Sequence, residues 1–452
     1  MAPSTRRRGT RVRAGDAREA ATRGARDARP PPGSSFDVIV LGNGPIGSAV
    51  ARHVCALGAR RVLVLDSERL TSGSDDLGRI VRPLDAEGRD EWTDMEQRSG
   101  TTFFTKRGSL AIGSETFVER GASRLRARDV AHRRAKTADD AFGERFTFFT
   151  RKDVPEGYEA VWDDVGGYVN PHSMREAQNA LMREASEGNA MVVRATGERV
   201  ESGGANGDKC TVTIDDGSAY TCDVCVMACG YYTEPLAREC GLIDDGDEDA
   251  TRFGEVRIAR RTVLLAEVLE SEVTGALAGM PTIKYEVPRA ILDAARVRRV
   301  SKGAGSDHSA NEAKSVYVLP PIYYPGPVPS AGWYVKIGGG PLDYFDKTDA
   351  SWIKTERELA EWMSSDGDEV VADQLHDILF HMFPGINFQS LSSKACAYAT
   401  SSDGSLQVQT LGVGRDVIAV AGCQGKGAGP ADAIGVDVAR VVIDRLAARA
   451  PP

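Results

Sequence analysis

Four groups of residues in this 452-residue chain have side chains and spacing suited to chemistry. Gly42, Gly44 and Gly47 spell G-x-G-x-x-G around Pro45 and Ile46, and Asp66 follows nineteen residues after the last glycine. Such a run lets backbone approach a pyrophosphate, whose charge is received by the free N–H groups of the helix that follows. An acid at that distance accepts hydrogen bonds from ribose hydroxyls and disfavours a 2′-phosphate. Cys396 lies in "SKACAYATSSDG" with Lys394 and Tyr398 two residues to either side. A neighbouring ammonium favours the thiolate, the nucleophilic form, so Cys396 is either a covalent handle or one more small buried cysteine. Lys336 in "WYVKIGGG" and the pair Arg79 and Arg82 in "DDLGRIVRPL" offer positive charge. Their ordinary readings are a solvated strand lysine and surface arginines pairing with Asp75 or Asp76.

These residues need elements to hold them. Val38 to Leu41 reads as a strand buried on both faces; Ala49, Val50, Val54 and Leu57 continue with helical spacing until Gly58. Val62 to Leu65 is a second buried strand, so strand, glycine loop, helix, strand and acid form a complete βαβ fingerprint for FAD or NAD, with NADP disfavoured. Further on, Asn170 as N-cap and Pro171 predict a helix, then a strand from Met191 and a hairpin turning at Asp216-Gly217 that returns toward Ala228-Cys229-Gly230. That order resembles flavoproteins more than simple dehydrogenases, and no paired-cysteine redox motif or second fingerprint follows. The last segment is a buried strand, a glycine-rich loop and a helix with Ile434, Val438, Val441, Val442 and Leu446 on one face. The N-terminal end of such a helix favours the negative charge a reduced flavin acquires. By strand alternation, Lys394, Cys396 and Tyr398 share one face opposite Ala395 and Ala397, and Lys336 lies opposite Trp333, Val335 and Ile337.

Composition narrows the class. With 41% apolar and 27% charged residues the chain should hold two or three domains of about 100–200 residues each. No apolar run approaches the roughly 18 to 20 residues that span a bilayer. Met1 to Arg29 carries nine arginines and three acids, a charge of +6; since the whole chain is −9, the remainder is −15, which argues against a nucleic-acid surface. This head, ending in "RPPPGSS", reads as an organelle transit peptide and linker, for a chloroplast before a mitochondrion, with an untargeted tail on a cytoplasmic protein as the alternative. Eight cysteines are too sparse for a disulfide scaffold. Cys222, Cys225 and Cys229 lack a second ligand pair at metal-binding spacing, the six histidines form no ligand set, and no metal is expected.

With "GNGPIGSA", "GRIVRPL", "YVNPHSM", "YVLPP", "WYVKIGG", "KACAYATSSD" and "AVAGCQGKGAG" in that order, the chain resembles the flavin amine oxidases typified by monomeric sarcosine oxidase, N-methyltryptophan oxidase and pipecolate oxidase, within the glycine oxidase and D-amino-acid oxidase superfamily. The resemblance covers roughly Phe36 to Leu446. It implies an α/β fold: a Rossmann-like FAD-binding domain (36–95, 165–240 and 391–446) and a discontinuous α+β substrate domain on a mixed or antiparallel sheet (96–164 and 241–390), after the head at 1–35. It further implies FAD held at Gly42, Gly44, Pro45, Ile46, Gly47, Asp66, Ser67, Val200, Gly425 and Lys426, and joined through a Cys396 thioether, Asp403 keeping the family's interval. Lys336 would lie near flavin N5 and stabilise the superoxide formed as oxygen takes its first electron. Arg79 would flank the flavin, Arg82 would grip a substrate carboxylate and Tyr317 would cover the substrate.

The implied reaction oxidises the C–N bond of a secondary amine or N-methyl amino acid to an imine, with oxygen as acceptor and peroxide as product, in a monomer whose partners are a small amine and oxygen. Asp75, Gly340 and Gly429 depart from the pattern where the family has histidines and a lysine, so sarcosine itself does not follow. Two other readings stay open: a flavin dehydrogenase of an amino or hydroxy acid with another acceptor, and a non-catalytic flavoprotein. Residues 295–315 read as an insertion.

Overall fold

The β-branched runs of the fingerprint form the parallel centre of a first, eight-stranded sheet. In the computed structural model, which describes residues 27–67, 76–82, 89–149, 154–204, 208–243, 253, 256–289, 315–326, 329–339, 352–401 and 404–449, Ser35–Leu41 lies between Val62–Asp66 and Ala219–Met227, parallel to both. Met191–Arg194 adds to one side. On the other, Val417–Ala421 runs parallel to Ala219–Met227, while Gly197–Glu201 and Cys210–Ile214 complete an antiparallel meander. Val38, Ile39, Val40 and Leu65 are at most 1% exposed, because helices cover one face and a second apolar cluster the other.

Helix Pro45–Ala56 starts at Gly44 and packs between Pro171–Ala185 and Ala431–Arg449. The expected cap at Asn170 is present. Its side chain accepts from the amides of His172 and Ser173 at 3.0 and 3.3 Å, worth about 1 kcal/mol to the helix. Cys222 and Cys225 are fully buried in the core under the first sheet, in keeping with packing, and among the described residues no group of His, Cys, Asp and Glu is placed to hold a metal ion. No helix among the described residues is long and apolar enough to cross a membrane.

A second sheet of eight strands is mixed. Its order runs Leu391–Thr400, Arg257–Val268, Gly332–Gly338, Ser315–Tyr324, Thr282–Glu286, Ser109–Gly113, Glu159–Asp163 and His132–Lys136. Every pair is antiparallel except Thr282–Glu286 with Ser109–Gly113. Val335, Ile337, Ile283 and Leu264 point to one side, where Leu375, Ile378 and Leu379 of helix Glu369–Met382 seal them. Segment 391–446, grouped as one piece from sequence, divides here: Leu391–Thr400 belongs to the second sheet, Gln407–Ala421 and the last helix to the first.

Arg79–Val81 is a strand that sequence did not suggest, paired with Gly167–Val169 beside Phe104–Lys106. Three residues carry no readable period, so only the pairing makes it a strand. Residues 1–26 of the basic head lie outside the described residues, and so do Asp75, Gly340, Asp403 and all of the 295–315 insertion but Ser315. Arg29 pairs with Asp215 and Asp216 at the hairpin turn.

Candidate active site

The second sheet's other face carries the side chains that chemistry would need. Residues directly opposite in register point the same way. Lys284 faces Tyr317, Tyr317 faces Gly338, Leu265 faces Lys336, and Arg261 faces Cys396. One face therefore presents Lys284, Tyr317, Lys336, Arg261 and Cys396 together. It lines a cavity of about 1180 Å³ that the glycine loop of the first sheet also lines.

That cavity gathers Gly42, Gly44, Pro45, Ile46, Asp66 and Ser67 along one stretch, Arg79, Arg82, Tyr317, Lys336 and Cys396 along another, and Gly425 and Lys426 at the C-terminal loop. Two residues expected at the ligand do not line it. Gly47 lies beneath the loop, where a Cβ would come within 1.9 Å of the Gly42 carbonyl oxygen. The side chain of Val200 is fully buried in the core under the sheet, and its amide donates to Cys240 Sγ at 3.2 Å. The glycine loop turns through Gly42 at φ +96°, a conformation side chains rarely adopt, with the backbone of Ala228 pressed against it.

Lys336 is 2% exposed, which overturns its reading as a solvated strand lysine. Its ammonium pairs with Asp76 and donates to the Gly78 carbonyl at 3.1 Å. Arg79 donates to the same Asp76 oxygen at 2.8 Å, and Tyr324 and the Leu77 amide donate to the other at 2.8 and 2.7 Å. The surface pairing expected for Arg79 is thus real in partner but not in place, since the pair is largely withdrawn from solvent, Arg79 keeping 20% and Asp76 9% of the side chain exposed. Burial would raise the Asp76 carboxyl, but Lys336, Arg79 and Lys394 outweigh it and hold it well below the usual carboxylate range. Burial pushes the Lys336 ammonium below its ordinary value; Asp76 pulls it back only in part, and Arg79 pushes it further down. One carboxylate cannot fully answer two cations, so Lys336 is the more readily discharged of the pair.

Cys396 is half-buried, its thiol within electrostatic reach of Arg79 and Lys336, and the Trp362 indole holds its carbonyl at 2.8 Å. Arg261 stacks over the Tyr398 ring at 4.4 Å and donates to its hydroxyl. The C-terminal loop is tied to the cysteine strand through Gln424, whose amide donates to Ala399 O at 3.0 Å and whose side chain meets Thr400 and Ser401. Cys229 also lines the cavity, where burial pushes its thiol up to about 12.

Several site residues escaped sequence reading. From sequence Asp76 reads only as a surface partner, and nothing local marks Tyr324, Lys284, Arg261 or Asn43 as a site residue. Tyr324 has a local signal that misleads. A one-residue register shift between Leu319 and Ile322, across Pro320 and Pro321, turns it onto the face of Tyr317, where simple alternation places it opposite.

The family model described as DAO, FAD dependent oxidoreductase, matches residues 37–441. The chain belongs to the DAO family. This DAO-family chain is 27% identical over 223 residues to monomeric sarcosine oxidase of Bacillus sp. (strain B-0618), a match covering 46% of the chain and 54% of that protein. The chain therefore spans about half the length of that curated relative. Among solved structures it is similar to NikD, an unusual amino acid oxidase essential for nikkomycin biosynthesis (TM-score 0.63, 19% identity, 91% of this chain and 97% of that one). It is likewise similar to L-proline dehydrogenase from P. horikoshii (TM-score 0.61, 15% identity, 91% and 94%). At those identities the likeness is one of fold.

The residues present fit the FAD of the DAO family. At Gly42 and Gly47 a side chain would fill the close-packed turn. Asn43, fully buried in the loop, has its side-chain amide without a protein partner, and its backbone N–H donates to Asp66 Oδ2 at 2.6 Å. Helix Pro45–Ala56 begins at Gly44 with no side-chain cap, leaving its first N–H groups for a pyrophosphate. The cavity volume exceeds the roughly 300–1,000 Å³ of drug-sized sites, which suits an extended dinucleotide with room for a small substrate.

Proposed function

We propose that the protein is a FAD-dependent oxidase acting on the C–N bond of a secondary amine or N-methyl amino acid, with oxygen as acceptor, an imine that water hydrolyses, and hydrogen peroxide as product. The observation that carries this reading is Lys336, a buried lysine aimed into the cavity that the glycine loop and Cys396 share. Bound FAD supplies the two-electron acceptor. The protein's part is charge and placement. Arg82 offers a planar fork for a carboxylate, and Tyr317 gives the substrate an aromatic wall. The cluster of Arg79, Lys284 and Lys336 around Tyr317 disfavours an ammonium, so the amine binds in the neutral form able to donate electrons. Lys336 stabilises negative charge arising on oxygen.

A second reading is supported by Asp76. An ammonium already paired with a carboxylate helps oxygen less than a lone one, which favours a dehydrogenase with another acceptor. Peroxide yield separates the two. Anaerobic mixing with a panel of N-methyl amino acids should bleach the flavin, and admitting oxygen should return peroxide in step with amine consumed; bleaching without peroxide would select the dehydrogenase.

Cys396 is read as the covalent attachment point for the flavin. On acid precipitation the yellow colour should stay with the pellet of the parent protein and move to the supernatant for Cys396→Ala. Colour released from the parent would leave the cysteine as ordinary packing.

A further inference from the structure

Tyr324 is a buried phenol that amine oxidation does not itself require. Its ring packs with Leu265, Leu319, Ile322 and Tyr334 in an apolar cluster, meeting Tyr334 edge-on at 5.6 Å. Phenylalanine would fill that place without a hydroxyl that must find a partner. The partner it has is Asp76.

The two oxygens of that carboxylate are divided by charge. Oδ1 accepts from two neutral donors, the Leu77 amide at 2.7 Å and the Tyr324 hydroxyl at 2.8 Å, while Oδ2 accepts from both cations, Arg79 at 2.8 Å and Lys336. Tyr334, the other phenol of the cluster, is engaged by Ser330. A hydrogen bond to one oxygen draws charge toward it and weakens the pull of the other. Arg79 and Lys336 therefore compete for an oxygen whose charge is already drawn off. Other elements bring further groups to Lys336: Tyr317, whose ring centroid lies 6.0 Å from Nζ, and Cys396 within electrostatic reach. Lys284 approaches the same ring at 5.8 Å, and Lys394 acts on Asp76.

We propose that Tyr324 is a positioning residue that reserves Asp76 Oδ1, so that Lys336 is only partly neutralised and offers its charge to an anion formed in the cavity. The inference rests on reading Lys336 as the group that stabilises negative charge on oxygen, but it can be tested without turnover. The probe is inorganic sulfite, which bleaches oxidised flavin as it adds and leaves a negative charge for the ammonium to stabilise. Its affinity for the flavin-loaded protein should fall at alkaline pH as Lys336 discharges. In Lys336→Met that limb should vanish, which separates it from titration of Cys396, Tyr317 or Lys284. Tyr324→Phe should move the limb upward by about one pH unit, because Asp76 then turns its whole charge to the cations. Tyr324→Leu, which lacks the same hydroxyl, should move it the same way. A limb that stays in place or moves downward in these variants, even if their stability falls, overturns the proposal; so does a limb that survives in Lys336→Met. A limb that moves as expected while no secondary amine bleaches the flavin would instead sink the oxidase reading and leave the assignment of Tyr324 standing.

Discussion

Lys336→Met is expected to slow reoxidation of the flavin by oxygen about 10²–10³-fold, the usual cost of removing one preorganised charge-stabilising group. Methionine nearly matches the lysine stem, and the site tolerates the change because Asp76 keeps Arg79, Tyr324 and the Leu77 amide as partners. Anaerobic flavin reduction by the amine should fall far less, since the ammonium acts where charge develops on oxygen. Stopped-flow measurement of each half-reaction checks this separation. Reoxidation at the parent rate would make Lys336 a structural cation and favour the dehydrogenase reading.

The second large effect belongs to Asp76. Asp76→Asn leaves Lys336 and Arg79 without their shared counter-ion in a buried site, and breaking such a pair costs about 3–5 kcal/mol. Denaturant unfolding at neutral pH should show the loss. The parent carboxyl is held below its ordinary value, so its contribution is present above about pH 3.9 and disappears as pH falls through the lower folded value; the variant should lack that acid limb.

The same substitution should move the alkaline limb of the oxygen half-reaction. Lys336 already titrates below 10.5, through burial and Arg79, and Asp76 is what pulls it upward. The ammonium is present below its pKa and is lost as pH rises through it. Removing Asp76 shifts that loss to lower pH. A limb that stays in place while stability falls would show that Asp76 supports the fold and does not set the charge on Lys336.

Much of the nucleotide half was legible because its parts are local. Gly42, Gly44, Gly47 and Asp66 lie within one strand–helix–strand unit whose periods of 2 and 3.6 residues can be counted directly. The pairing of Lys394, Cys396 and Tyr398 on one strand face was countable for the same reason, and the strand bears it out: Ala395, Ala397 and Ala399 are buried behind them. Val200 shows the limit on this side. A valine can be placed near a ligand by likeness, yet its side chain is drawn into the apolar layer.

Spacing along the chain by itself determined the dinucleotide loop, the strand faces of Cys396 and Lys336, and the excess of arginine at the head. Only the tertiary structure decided that Lys336 is buried, that Asp76 binds it, Arg79 and Tyr324, and that Lys284 lines the same cavity. Alternation tells which residues share a face of a strand but not which face is covered. Which face is covered depends on register with strands far away in sequence, such as Arg261 against Cys396, and on shifts such as the one after Leu319. Burial then pushes the lysine below its ordinary value, and no count of residues between the two strands contains that information.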